Sequence, residues 1–198
     1  MQIHKIAKEL PVISIALAVT VIVLYFAADD ESPLFTHLAL DKTNATQIWR
    51  YVTGHFLHVG SNHLVWNLAA TAILCSMLER NYRVLLSVAW FFGLVGVNLW
   101  FLGQGTFDFY VGLSGVLNSV FVAVIYSQTR WRGNFLRNNF LILIIFCGYV
   151  AKNIYESITG AAIVSDTVLK ATPGAHLAGM LGGFLACGFN WLLSGRKA

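Results

Sequence analysis

Long apolar runs recur along this chain and leave few folds open to it. The stretches at about 11–28, 57–78, 84–103, 113–128, 139–158 and 173–194 are each close to the length that crosses about 30 Å of hydrocarbon as a helix. Only 11% of the 198 residues are charged and 57% are hydrophobic, whereas a soluble domain carries about 25% charge. The expected fold is therefore all-α: a polytopic membrane protein of six transmembrane helices, one domain over residues 1–198 with no separate soluble part. The fourth run is short and the fifth is interrupted by polar residues, so their boundaries are loose. The first run follows a basic amino terminus, as in a signal peptide. It lacks a small-residue cleavage site and continues into Asp29-Asp30-Glu31, so it reads as a retained span.

Charge distribution sets an expected topology. Lys5, Lys8, Arg80, Arg83, Arg130, Arg132, Arg137, Arg196 and Lys197 fall on one side of the six spans. Lys42, Arg50 and Lys170 fall on the other, with Asp29, Asp30, Glu31, Asp41, Asp108 and Asp166. The positive-inside rule makes both termini cytoplasmic. The net charge of +4 then reports topology rather than a nucleic-acid partner. Cys75, Cys147 and Cys187 all lie within apolar segments; an odd set so placed reads as small core or lipid-facing residues, not a disulfide framework.

Orientation converts sequence position into depth, since a helix rises about 1.5 Å per residue. Measured from the inner end of each span, His63, Asn67, Ser114 and His176 all fall in the outer half of a core about 30 Å thick. Ser114 and His176 begin the fourth and sixth spans. A hydroxyl at a helix start, beside free backbone N–H groups, is placed to act as a nucleophile. A histidine at the same depth is placed to act as general base. His63 and Asn67 are four residues apart, share a helix face and can both donate to an oxyanion. The Ser114 amide supplies a third donor. Small residues at four-residue spacing run from the same two helix starts: Gly115, Ser119 and Ala123 on one span, Ala175, Gly179, Gly183 and Cys187 on the other. Such stripes permit close backbone approach.

Two competing readings of these polar residues are weaker. His55, His58 and His63 lie close in sequence, but His63 is turned away from the other two, and no cysteine or carboxylate completes a metal set. No metal or cofactor is implied. No Asp or Glu falls at the depth of the serine either. Glu156, the nearest, pairs at i, i+4 with Lys152, so a Ser-His dyad without a carboxylate is expected. A transporter would show an internal repeat, or a charged pathway beyond Lys152 and Glu156.

These residues carry a resemblance. Gly112-Leu113-Ser114-Gly115 resembles the GxSG nucleophile motif of the rhomboid intramembrane serine proteases. Ala175-His176-Leu177-Ala178-Gly179 with Gly183 resembles their AHxxGxxxG motif, and His63-Leu64-Val65-Trp66-Asn67 their HxxxN motif, with His58 matching a further histidine before it. Trp49-Arg50 and Glu79-Arg80 resemble further paired motifs of that family. The likeness covers about residues 49–194. It implies catalysis by Ser114 and His176, an oxyanion site of His63, Asn67 and the Ser114 amide, and a gate formed by span five and the loop 159–172. It also implies membrane-anchored protein substrates cut near the outer leaflet, in a bacterial inner membrane with the site opening to the periplasm. Oligomeric state is left open. Asn118 stands where many bacterial relatives carry a tyrosine that stacks on the histidine. The compact chain is similar to the rhombosortase branch, which implies substrates with glycine-rich carboxy-terminal anchors. The alternative is a catalytically inactive rhomboid-like protein that binds client transmembrane helices.

Overall fold

A computed structural model describes residues 10–106, 108–129, 131, 133–160 and 172–194. The main helices are α1 (Val12–Ala27), α2 (Pro33–Leu38), α3 (Arg50–Thr53), α4 (Ser61–Ala70), α5 (Ser76–Asn81), α6 (Arg83–Gly103), α7 (Ser114–Gln128), α8 (Phe135–Thr159) and α9 (Pro173–Ser194). A helical stretch therefore stands at each apolar run. Three of them, Arg83–Gly103, Phe135–Thr159 and Pro173–Leu193, are long and apolar enough to cross a membrane. Their outer faces carry Phe91, Leu99, Ile144, Ile145, Leu185 and Leu192, all exposed. That arrangement suits hydrocarbon, where backbone groups must be satisfied within the helix and apolar side chains can face outward.

Boundaries differ from expectation in two places. The second run does not become helical at 57. Gly60 has φ +80 and helix begins at Ser61. It continues through a wider π turn, Thr71–Cys75, into α5. The fifth run is one unbroken helix of 25 residues. Its polar residues do not interrupt it because they bond along it. Asn139 Nδ2 donates to the Phe135 carbonyl at 2.9 Å, Asn153 Nδ2 to that of Tyr149 at 3.0 Å, and Lys152 Nζ meets Glu156 Oε2 at 2.8 Å. Cys75 and Cys187 are buried and Cys147 is exposed, all as free thiols. Lys5, Lys8, Arg130, Arg132, Asp166, Lys170, Arg196 and Lys197, used to read topology, and residues 161–171 of the expected gating loop lie outside the described residues.

The centre of the bundle is α7, α9 and α6, pressed together at backbone distance. A Cβ added to Gly179 would overlap the Gly115 carbonyl oxygen, and one on Gly183 would lie 2.7 Å from that of Ser119. The same helix meets α6, where a Cβ on Gly96 would lie 2.7 Å from the Ala178 oxygen. Both small-residue stripes thus face each other, and α6 adds two glycines, Gly93 against Ser119 of α7 and Gly96 against α9. Ser119 Oγ donates to the Ala89 carbonyl at 2.7 Å, joining α7 to α6 in the core.

Two buried polar residues fasten the periphery. Glu79, 1% exposed, accepts from the backbone N–H of Ile13 and Ser14 at 2.8 Å each and from Ser14 Oγ at 2.7 Å. Its carboxylate caps α1, whose first N–H groups have no intrahelical partner. Arg50 Nη1 donates to the carbonyls of Thr36 at 2.6 Å and Ala39 at 2.5 Å, while Nε reaches Gln47 Oε1. Trp49 stacks on His37. These bonds fold the 28–60 segment, which then pairs with the stretch before α7 through Leu40↔Tyr110 and Asp41↔Phe109.

Gly179→Ala should lower the unfolding midpoint in detergent by several degrees, because overpacking a tight interface costs about 1–3 kcal/mol. Gly148→Ala on the open face of α8, where a Cβ meets nothing within 4 Å, should leave the midpoint unchanged or raise it.

Candidate active site

Ser114 opens α7 because the chain before it cannot continue as helix. Gly112 has φ +114, a conformation open to glycine at no steric cost. A Cβ there would lie 2.6 Å from His63 Cε1. The Gly112 N–H donates to the Gly54 carbonyl at 3.1 Å, tying this loop to the 28–60 segment. No side chain caps the N-terminus of α7, so its first N–H groups stay available to an anion. Gly115 follows because a Cβ there would press on Val97 at 2.7 Å and the Tyr110 hydroxyl at 2.9 Å.

His176 lies in the first turn of α9, brought beside Ser114 by the glycine contacts. Its Nε2 is 3.0 Å from Ser114 Oγ. Ser114 Oγ is thus turned toward the histidine of another helix rather than back onto its own. The other ring nitrogen, Nδ1, is 3.1 Å from Asn153 Oδ1 on α8. The amide orientation follows from its second end. Asn153 Nδ2 donates to the Tyr149 carbonyl and lies 3.9 Å from Met180 Sδ, so Oδ1 must face the ring. An amide oxygen only accepts. The 3.1 Å contact is thus a hydrogen bond in the Nδ1–H tautomer, the one that leaves the Nε2 lone pair facing the serine hydroxyl.

Glu156 pairs with Lys152 as expected, but it also lies near the histidine: Oε2 is 3.9 Å from Nδ1, beyond hydrogen-bond distance, while keeping its bond to Lys152. The helix turn that pairs Lys152 with Glu156 also carries Asn153 to the same face of α8. Lys152 and Glu156 are therefore not a self-contained pair, and Asn153 shows in the sequence only as a third polar residue on that face of an apolar helix.

His63 and Asn67 project from α4 toward the same space. His63, Asn67, Ser114, Lys152, Tyr149 and His176 line a cavity of about 340 Å³, with Trp66, Leu117 and Phe121 among its apolar walls. Asn67 Nδ2 donates to the His63 carbonyl at 2.9 Å. Its second amide hydrogen is free of that bond. The π turn begins four residues below, where Thr71 Oγ1 donates to the Asn67 carbonyl at 2.8 Å. Asn118, one turn after Ser114, donates to the Ser114 carbonyl at 2.8 Å and so supports the serine turn.

The three clustered histidines are arranged otherwise than expected: His63 is not turned away from His58, their ring centroids being 4.9 Å apart, while His55 turns to Asn98 Oδ1 at 3.1 Å and His58 Nδ1 meets the Phe56 carbonyl at 3.1 Å. Among the described residues no three His, Cys, Asp or Glu side chains gather as a metal set.

The sequence matches the rhomboid domain over residues 45–192. This chain belongs to the rhomboid family. It is an integral membrane protein of a family made up generally of intramembrane serine proteases. No curated protein matches it by sequence. The matched region holds every residue of the cavity.

Gly112→Ala should cost about 1–3 kcal/mol, the usual penalty of a forced left-handed residue. It should lower the unfolding midpoint, whereas Gly105→Ala, which nothing crowds, should not.

Proposed function

We propose that this protein is an intramembrane serine endopeptidase that cuts membrane-anchored proteins with a Ser114–His176 pair. The observation that carries the reading is the 3.0 Å separation of Ser114 Oγ and His176 Nε2 across two helices, inside a cavity that also holds two oxyanion-type donors. In this reading, His176 Nε2 takes the hydroxyl proton as Ser114 attacks the scissile carbonyl. The oxyanion then forms beside the Ser114 amide, His63 and Asn67. His176 returns the proton to the leaving amine, and a water molecule releases the acyl group by the same steps. Preorganised donors of this kind contribute about 2.7–4 kcal/mol each to the transition state. The chemistry needs no cofactor.

The apolar runs support six membrane crossings within one domain, and the cation distribution supports cytoplasmic termini with the site toward the opposite face, the periplasmic one if the membrane is a bacterial inner membrane. The substrates of this reading are membrane-anchored proteins, among them those with glycine-rich carboxy-terminal anchors that a rhombosortase would take. An inactive client-binding relative is the reading to test against.

A fluorophosphonate probe should label the wild-type protein. Ser114→Ala should abolish labelling, and His176→Ala should slow it by about 10²–10⁴-fold, the contribution of a general base. Labelling that survives Ser114→Ala would remove the serine mechanism and favour the client-binding alternative. With a peptide substrate, Asn67→Ala should cut kcat by about 10²–10³-fold at nearly constant KM, as removal of one oxyanion donor does. A change confined to KM would take Asn67 out of that role.

A further inference from the structure

We infer that Asn153 on α8 is a positioning residue for His176, holding its ring as the Nδ1–H tautomer so that Nε2 is free to accept the Ser114 proton. The inference rests on the serine-protease reading above and adds a third member to its pair.

Asn153 is 0% exposed, and a buried amide is kept only where its donors and acceptor are used. Its Nδ2 is engaged by the Tyr149 carbonyl, one turn back on the same helix. That bond fixes the amide plane and directs Oδ1 at His176 Nδ1, 3.1 Å away. A neutral imidazole has one proton and two nitrogens, and the bond made by one decides the role of the other. With Oδ1 in place, protonation at Nε2 would set two lone pairs against each other at Nδ1. Without Oδ1, the ring can carry its proton on Nε2, where it cannot take one from serine.

The same face supplies charge. Glu156 Oε2, 3.9 Å from Nδ1, is beyond hydrogen-bond reach yet close enough to favour the imidazolium formed during attack. Lys152 at 2.8 Å balances that carboxylate, so the ring need not be charged at rest. A Ser-His-Asn order is chemically equivalent to the Cys-His-Asn sets of unrelated proteases, where the amide orients the ring. The third group comes from α8, a helix only 11% buried along its most apolar stretch against 33% for α6 and α9. A polar anchor on so lightly packed a helix ties the base's orientation to the seating of that helix.

Two measurements on the full-length protein in detergent test this. With ¹⁵N-histidine labelling, a two-bond ¹H–¹⁵N spectrum should show His176 protonated at Nδ1 in the wild type, with the peak assigned by its loss in His176→Ala. Asn153→Leu, close in size but without an acceptor, should move His176 toward the Nε2–H pattern. It should also slow fluorophosphonate labelling on the order of 10²-fold, less than the ~10⁴ lost when a triad carboxylate is replaced. A wild-type His176 protonated at Nε2 overturns the inference without reference to any variant. So does an Asn153→Leu protein that keeps both the Nδ1–H pattern and the wild-type labelling rate. If Ser114→Ala abolishes labelling while Asn153→Leu changes nothing, only the Asn153 role falls. If Ser114→Ala still labels, the serine mechanism itself falls, and the spectrum still reports the tautomer.

Discussion

Backbone contact between α7 and α9 governs the geometry of everything described above. Lipid tails are as apolar as leucine, so burying leucine gains little in a bilayer, and helices associate through packing and hydrogen bonds. The room for that packing comes from glycine and serine: Gly179 against the Gly115 carbonyl, Gly183 against Ser119. Ser114 directly precedes Gly115, and His176 lies about one turn before Gly179, on their own helices. Their 3.0 Å separation therefore inherits the tightness of the interface. The proposed proton transfer would tolerate little error, since a misplacement of about 1 Å can cost 10²-fold in rate. The stripes and the motif are one feature viewed structurally and chemically.

A second layer of buried polar residues holds the loops that this contact does not reach. Glu79 caps α1 from a helix 65 residues away in sequence, and Arg50 collects carbonyls that would otherwise face apolar surroundings. Neither group touches the cavity. Their effect on it runs through the backbone. Arg50 folds the 28–60 segment, that segment pairs with Phe109 and Tyr110, and the Gly112 turn is held against Gly54. The position of Ser114 is thus set from both sides, by its helix and by the turn that launches it.

α8 combines two properties that usually exclude each other. Most of its surface faces outward, as Ile144, Ile145 and Ile158 indicate. Yet its buried residues include Asn153 and Glu156, polar groups that are expensive at depth unless paired. Helical spacing reconciles these, because residues three and four apart share a face. Tyr149 touches Phe121 of α7 with ring centroids 4.4 Å apart, so one narrow stripe carries both the packing and the polar contacts of this helix.

Periodicity and charge made much of this legible before any fold was known. A low charge content and repeated apolar runs require a helical membrane protein. The rise of a helix puts His63, Asn67, Ser114 and His176 at one depth, and the small-residue stripes identify the faces that meet. Local spacing carries such information because each helix is a rigid ruler. It does not report rotation or the third dimension. That Glu156 pairs with Lys152 is visible at i, i+4, but that the same turn reaches His176 depends on how α8 sits against α9. That Asn153 aims its oxygen, not its nitrogen, at the ring depends on a carbonyl of its own helix and a methionine of another. Composition and spacing determined the fold class and the shared level of the polar residues. Only the packed bundle decided which of them share protons, because a hydrogen bond is set by tenths of an ångström between helices that the chain joins through loops.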